Sequence, residues 1–403
     1  MKTVGIICEY NPFHPGHTGH IERTRAALGF DSAVVCVMSG NFVQRGDIAV
    51  FNKYARAEAA ALCGADLVVE LPSPYALSSA EGFASAGIYI LDKLGICDFI
   101  SFGSEAGDIA ALKEVSEAIV TEEANTIMKE GLGSGLPYAA AQQNAADAVL
   151  GARSHVLRSP NNLLGIEYLK AIAAQGSMLR PMTVKRIGGA HDGDMGYSAS
   201  AIRAKLLLGE RPEKLVPRDA SDVYAREIVQ GRGPNSMKSY ELAMMSRLRA
   251  MKDFSWLAGV SEGLDNRLLR YTEFEPTIAK ILESVKTKRY AMSRIRRMLI
   301  CACLGISAAD TLAPPSYIKV LAMNRTGMKM LKHARKKTAL PIITKPATVK
   351  KIAGTAAAMF AKEVAATDFY VLAYRNENDR CGGQEWRETP RIVEDGNRNI
   401  ECV

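Results

Sequence analysis

An open parallel α/β sheet followed by a mainly helical, basic C-terminal region is the fold predicted for this chain of 403 residues. Three observations predict it. Short continuous Val/Ile-rich runs alternate with helical periods through the first half, the pattern of parallel strands buried on both faces. From about residue 218 the apolar spacing turns helical, with no clear strand before residue 317. Charge divides at the same place: residues 1–215 carry 19 Lys/Arg against 23 Asp/Glu, and residues 216–403 carry 32 against 20. The overall charge of +8 is therefore an average of a mildly acidic half and a strongly basic one.

Strands are expected at residues 3–8, 32–38, 66–71, 97–103 and 182–187. Helices are expected at 16–28, 53–63, 80–94, 109–129 and 162–174. The second half predicts helices at 240–252, 264–271, 276–285 and 292–304. After the Pro314-Pro315 break come a strand at 317–323, a basic helix at 327–337, a strand at 340–344 and a final helix. Residues 376–403 are polar and carry no periodic signal. The expected organisation is a catalytic domain over 1–215, a helical region over 216–313, and a small α/β region with a polar tail over 314–403.

Composition excludes several classes. Hydrophobic content of 48% and charged content of 23% describe a globular chain. No apolar run approaches the ~18–20 residues of a membrane span. The first apolar run is stopped by Glu9 and Asn11, too early for a signal peptide. Eight scattered cysteines include one close pair, Cys301 and Cys303, and no zinc-type spacing. Structural thiols in a reducing cytoplasm are expected.

In an open parallel sheet the ligand sits beyond the carboxyl ends of the strands. After the first strand comes Glu9-Tyr-Asn-Pro-Phe-His14-Pro-Gly16-His17-Thr-Gly-His20. His14 and His17 fall at a helix N-terminus, where free N–H groups and the helix dipole favour an anion. Gly16 lets a phosphate approach the backbone. Plain capping or a metal shared by His14, His17 and His20 are the competing explanations, and no carboxylate or cysteine set completes a metal site. Neither Gly-x-x-x-x-Gly-Lys nor Gly-x-Gly-x-x-Gly follows the first strand. Later, Ser198-Ala-Ser200-Ala-Ile-Arg203 offers two hydroxyls at a helix start and a guanidinium one turn in, although Ser before a helix is also an ordinary cap.

The His-x-Gly-His element, with the Ser-x-Ser-x-x-Arg hexapeptide, resembles the nucleotidylyltransferase superfamily, which implies a Rossmann-like sheet and adenylyl transfer from ATP. The resemblance narrows with Met38-Ser-Gly-Asn-Phe-Val-Gln-Arg-Gly46, Asp66-Leu-Val-Val-Glu-Leu-Pro72, Phe102-Gly-Ser-Glu105, Pro160-Asn-Asn-Leu-Leu-Gly-Ile-Glu-Tyr168, Val285-Lys-Thr-Lys-Arg-Tyr290 and Arg294-Ile-Arg-Arg-Met-Leu299. Together these are similar to the bacterial tRNA(Met) cytidine acetate ligase family over about residues 1–350. Ser200 stands where Thr is common, and Ala190 precedes His191-Asp192 where an aromatic is expected.

That resemblance implies two steps: acetate attacks ATP to give acetyl-adenylate and diphosphate, and the acetyl group passes to the wobble cytidine of elongator tRNA(Met). It implies His14, His17, Ser198 and Arg203 as the catalytic set, with no protein-held metal and Mg²⁺ accompanying ATP. It further implies nucleotide contacts from Ile7, Cys8, Glu9, Tyr10, Asn11, Pro12, Phe13, His14, Pro15, Gly16, His17, Thr18, Gly19 and His20. Gly103, Asn161, Asn162 and Arg186 complete the expected ATP site. Each has a plainer alternative: a strand-to-loop glycine, local caps, or a surface cation. Gln44, Arg45, Lys53 and Arg56 are candidates for substrate or tRNA contact, or for a solvated face.

Between residues 284 and 338, thirteen Lys/Arg meet a single acid, Asp310. Lys286, Lys288, Arg289, Arg294, Arg296 and Arg297 are the expected RNA-binding group. Lys329, Lys332, Arg335, Lys336 and Lys337 form a second cluster. Such density favours a nucleic-acid backbone. Two other functions are compatible with the motifs: a small-molecule nucleotidylyltransferase of cofactor biosynthesis, and a non-catalytic nucleotide-sensing RNA-binding protein.

Overall fold

A computed structural model describes residues 1–136, 138–186, 198–260 and 263–394. The strands, in chain order, are β1 (Thr3–Cys8), β2 (Ala33–Ser39), β3 (Phe42–Val43), β4 (Asp47–Ile48), β5 (Leu67–Leu71), β6 (Phe99–Ser104), β7 (Arg180–Lys185), β8 (Ile318–Met323), β9 (Ile342–Ile343) and β10 (Arg391–Ile392). Among the described residues, eight of these form one sheet in the order β10-β8-β5-β2-β1-β6-β7, with β9 beside β8. The five strands β5-β2-β1-β6-β7 are parallel, as the Val/Ile runs predict. Every residue of β2 and β5 is buried, because helices cover both faces.

The strand order reverses at β1, with β2 on one side and β6 on the other, and the carboxyl ends at such a reversal are where open α/β sheets place their ligand crevice. One face packs helices Ala80–Leu94 and Pro160–Gln175 over Ile7, Val35 and Val69. The opposite face packs helices Pro15–Leu28, Lys53–Leu62 and Arg218–Val229 over Val4, Val34 and Val68. A third core gathers the helices of residues 240–306 with the helix Gly354–Val371. Phe42 and Ile48, from the β3–β4 hairpin, are buried in that third core and so pin the helical region to the sheet.

Three expectations differ from the structure. The strands after residue 314 do not make a sheet of their own, because β8 pairs antiparallel with β5 and extends the N-terminal sheet. Such pairing between segments some 250 residues apart leaves no local trace in sequence. The helix expected over 109–129 is two, Ile109–Ala118 and Glu122–Gly133, split where Thr121 caps the second through Ala124 N–H. A helix at Tyr138–Leu150, not anticipated, packs against Glu122–Gly133. Residues 376–394 hold two short 3-10 turns and β10. The loop around Ala190, His191 and Asp192 and the end of the polar tail lie outside the described residues.

Candidate active site

β1 ends at Cys8, and the chain turns sharply through Tyr10, whose φ of 45° lies in the left-handed region. That conformation costs a bulky residue about 1–2 kcal/mol. It is held by packing: the Tyr10 ring meets Phe13 at 4.8 Å and His17 at 4.7 Å. Asn11 Oδ1 accepts from Val50 N–H at 2.8 Å, and Phe13 N–H donates to Tyr224 hydroxyl at 3.0 Å. Pro12 lies buried between them, and the helix begins with Pro15 at its first position, where a missing N–H costs nothing.

His14 is the N-cap of that helix. Its Nδ1 accepts from Gly16 N–H at 3.1 Å, while His14 N–H donates to His17 Nδ1 at 3.2 Å. A neutral imidazole whose Nδ1 accepts carries its proton on Nε2. Both rings therefore keep an Nε2–H donor, and they lie 3.8 Å apart, centroid to centroid. Gly16 is required here: a Cβ would stand 2.8 Å from the His14 ring. Burial, with help from Arg186 and Arg203, lowers His14 to about 4. Burial and the neighbouring His14 and His20 push His17 well down. The pair is thus neutral near pH 7, so it offers directed N–H donors rather than charge.

His20 differs from the other two. Its Nε2 is engaged with Ser101 Oγ at 3.0 Å, below the end of β6, and burial lowers it to about 4. Thr18 Oγ1 is buried with no protein partner. Gly19 lies against Arg23, whose guanidinium a Cβ would approach at 3.0 Å. Cys8 is a free thiol driven up by burial, and Ile7 packs on Gly87 across the sheet.

The second motif meets the first directly. Ser198 caps the helix Ala199–Leu207 by accepting from Ala201 N–H at 3.2 Å. Arg203 donates to Asn11 carbonyl at 2.8 Å and to Ser200 Oγ at 3.2 Å. Residues 192 apart in sequence, Asn11 just after β1 and Arg203 in the helix Ala199–Leu207, are thereby tied together. Arg186, immediately after β7, lies against Gly103 at the end of β6, where a Cβ would come within 3.2 Å of its Cγ. His14, His17, Gly103, Arg186 and Arg203 consequently face one crevice at the reversal point of the sheet.

The two asparagines act inside the protein. Asn161 donates to Glu105 Oε1 at 2.5 Å. Asn162 accepts from Ala106 N–H at 3.0 Å and donates its amide to Val156 carbonyl at 2.9 Å. Both hold the loop after β6 in place.

Two candidates for substrate contact prove to be interior. Arg56 is buried and donates to the carbonyls of Phe51, Ser39, Gly40 and Glu9, closing off the carboxyl ends of β1 and β2. Lys53, also buried, sits among three buried carboxylates: Glu70 at 2.5 Å, Glu385 at 2.6 Å and Glu363 at 3.8 Å. Lys319 of β8, one of the thirteen cations counted between residues 284 and 338, bonds Glu385 as well and is interior. Sequence reasoning missed this cluster because its members come from residues 53, 70, 319, 363 and 385.

The basic residues separate. Lys286, Lys288 and Arg289 are exposed. Arg294 donates to Gly259 carbonyl and stands over the Tyr290 ring. Arg297 donates to Gln44 carbonyl at 3.2 Å, and Gln44 N–H donates to Glu9 Oε1 at 2.8 Å. Arg296 packs against Gly46 of the same turn. The helix Met292–Leu304 therefore touches the nucleotide loop through the β3–β4 turn. The second cluster lies on the exposed face of helix Arg325–Lys337, which starts against Asp66 and ends beside Gly95. Both are at the amino edge of the parallel strands, opposite the crevice.

Comparisons with known proteins agree with this geometry. A family model described as HIGH Nucleotidyl Transferase matches residues 1–385. The tRNA(Met) cytidine acetate ligase of Acetivibrio thermocellus is 36% identical, covering 98% of this chain and 100% of its own. That of Caldanaerobacter subterraneus subsp. tengcongensis is 39% identical, covering 93% and 96%. The crystal structure of Thermotoga maritima TmcAL bound with alpha-thio ATP superposes with a TM-score of 0.90 at 31% identity, over 98% of this chain and 100% of that one.

Proposed function

Since the chain belongs to the HIGH nucleotidyl transferase family and, within it, to the tRNA(Met) cytidine acetate ligases, we propose that it activates acetate with ATP and acetylates the wobble cytidine of elongator tRNA(Met). The products are N4-acetylcytidine, AMP and diphosphate. The observation that carries this is the paired histidine cap, two Nε2–H donors at a helix N-terminus beside Arg186 and Arg203.

Acetate is ionised near neutral pH, since carboxyl pKa values lie near ~4. The first step therefore needs no general base. An acetate oxygen attacks the α-phosphorus, the bond to the bridging oxygen breaks, and diphosphate leaves with its electron pair. His14 and His17 donate to the phosphate chain from one side, and Ser198, Ser200 and Arg203 hold its far end from the other. Mg²⁺ would ride on the nucleotide: among the described residues no three His, Cys, Asp or Glu side chains gather to hold a metal, and Mg²⁺ favours phosphate oxygens and water. Bound there, it would neutralise charge developing on the leaving diphosphate.

In the second step the exocyclic amine of cytosine attacks the acetyl carbon and the bond to AMP breaks. A weak nucleophile makes positioning the larger task. Residues 286–297 hold the RNA beside the crevice, and the nucleotide domain is residues 1–215. A cytoplasmic location goes with a tRNA substrate. Among the described residues, no helix is long and apolar enough to cross a membrane.

The test is mass spectrometry of tRNA nucleosides after incubation with ATP, isotopic acetate and tRNA(Met). Labelled N4-acetylcytidine is expected, with one diphosphate per acetyl group. Diphosphate release that requires a nucleoside monophosphate instead of acetate would overturn the proposal in favour of cofactor synthesis.

A further inference from the structure

Between helix Ala80–Leu94 of the nucleotide domain and helix Met292–Leu304 of the helical region lies a cavity of about 630 Å³. Its lining includes Tyr75, Ala86, Tyr89 and Met298, together with Arg294 and Arg297. Two arginines line it and, among the described residues, no carboxylate does. The volume falls within the ~300–1,000 Å³ of small-molecule sites and accommodates one nucleotide. One side of the cavity is formed by residues between 75 and 89, in the segment that follows β5. Hydrogen bonds link its lining to the loop after β1: Arg297 donates to Gln44, whose amide donates to Glu9.

We infer that this cavity receives one unpaired nucleotide of the tRNA anticodon loop, a neighbour of the cytidine to be acetylated, with its base inside and its phosphate at the rim. The inference rests on the proposed tRNA substrate and adds to it a second anchoring point. Aromatic and thioether walls suit a base face, and base stacking tolerates any sequence. Arg294 and Arg297, held in place by the carbonyls of Gly259 and Gln44, present positive charge that suits a phosphate. Arg297 is largely desolvated, which lowers it from its ordinary range and makes an incoming anion a favourable partner. A base seated here is fixed to both halves of the protein at once, and the adjoining wobble cytidine then hangs over the crevice.

The experiment uses the full-length enzyme and tRNA(Met) molecules, each carrying a single abasic site at one unpaired anticodon-loop position other than the wobble cytidine. Acetylation by the wild type should fall about tenfold for one such tRNA. Tyr89→Ala should lose about tenfold on intact tRNA and be indifferent to that same abasic site. Acetate-dependent ATP–diphosphate exchange without tRNA should be unchanged. Leu312, at the cavity edge and 85% exposed, gives variants that do not threaten folding. Leu312→Glu should raise the KM for tRNA about tenfold by repelling phosphate, and Leu312→Lys should not. Equal acetylation of all abasic tRNAs, no distinction between the two Leu312 variants, or loss of exchange in parallel with acetylation overturns the inference. Failure of the wild type to acetylate even intact tRNA would instead sink the functional proposal itself.

Discussion

At the scale of single residues, the site turns on which nitrogen of each histidine is occupied. His14 and His17 spend Nδ1 on backbone N–H groups, which fixes the tautomer and aims both Nε2–H donors outward. His17→Ala removes one donor and the acceptor of His14 N–H together. Acetyl-adenylate formation should fall about 10²–10³-fold, as for other lost oxyanion donors, with tRNA affinity retained in a filter-binding assay. Equal loss of both would refute this division of labour. The same bonds predict a pH effect. His14 is lowered from 6.5 to about 4, so the unfolded chain binds more protons between those values. Its contribution to stability is complete above pH 6.5 and is lost as pH falls toward 4. The melting temperature of the wild type should decline through that window more steeply than that of His14→Asn, whose amide oxygen still accepts from Gly16 N–H. The histidine motif was legible in sequence because it is local: strand, turn, cap and glycine all lie within twenty residues. Lys53 and Arg56 looked like surface cations for the opposite reason. Their partners are carbonyls and carboxylates that only the folded sheet brings near.

Among the elements, helices and strands with strong periods stand where the sequence puts them; beside the long-range pairing of β8 and the unanticipated helix Tyr138–Leu150, two further signals mislead. One is a missed cap: Thr121 followed by Glu122 and Glu123 signals a new helix start inside what seemed a single period. The other is charge counted without position. Thirteen cations fall in one stretch, yet Lys319 is interior and helix Arg325–Lys337, with the second cluster, lies at the amino edge of the parallel strands. Replacing Lys288 and Arg289 by Ala should therefore weaken tRNA binding and reduce its salt dependence by roughly 1–2 in the log–log slope. Replacing Lys329, Lys332 and Lys336 should change acetylation about twofold or less. The reverse ranking, measured as kcat/KM for tRNA over a salt series, would mean the RNA wraps around the amino edge. Arg297→Ala belongs to neither set, because its bond to Gln44 reaches Glu9 and both steps should suffer.

For the molecule as a whole, the link between its halves is a buried ionic cluster rather than a flexible joint. Lys53 and Glu70 belong to the N-terminal half, and Lys319, Glu363 and Glu385 to the C-terminal one. Thr367 donates to Glu385 at 2.6 Å and Ser73 Oγ to Glu363 at 3.0 Å, so hydroxyls from both halves also bond two of the carboxylates. Burial, reinforced by Glu70, raises Glu363 to about 7, and burial beside Lys53 lowers Lys319 to about 7. Charges this deep are stable only as a set: removing one partner typically costs about 3–5 kcal/mol, because the others remain buried and uncompensated. Lys53→Met, nearly isosteric, should destabilise the protein by that amount in equilibrium urea unfolding, although Lys53 touches neither nucleotide nor RNA. The loss should appear as a lowered midpoint of the whole transition, since the cluster joins β8 and the helix Gly354–Val371 to the sheet that carries the histidines. An early, separate transition of the C-terminal elements, with ATP–diphosphate exchange surviving it, would show that the catalytic sheet stands without them. The cluster sits beside Gly40, where a Cβ would lie 2.6 Å from Glu70 Oε1. Gly40 precedes the hairpin whose turn contacts Arg297, so the charges that bind the two halves also set the position of the segment through which the helix Met292–Leu304 reaches the loop after β1.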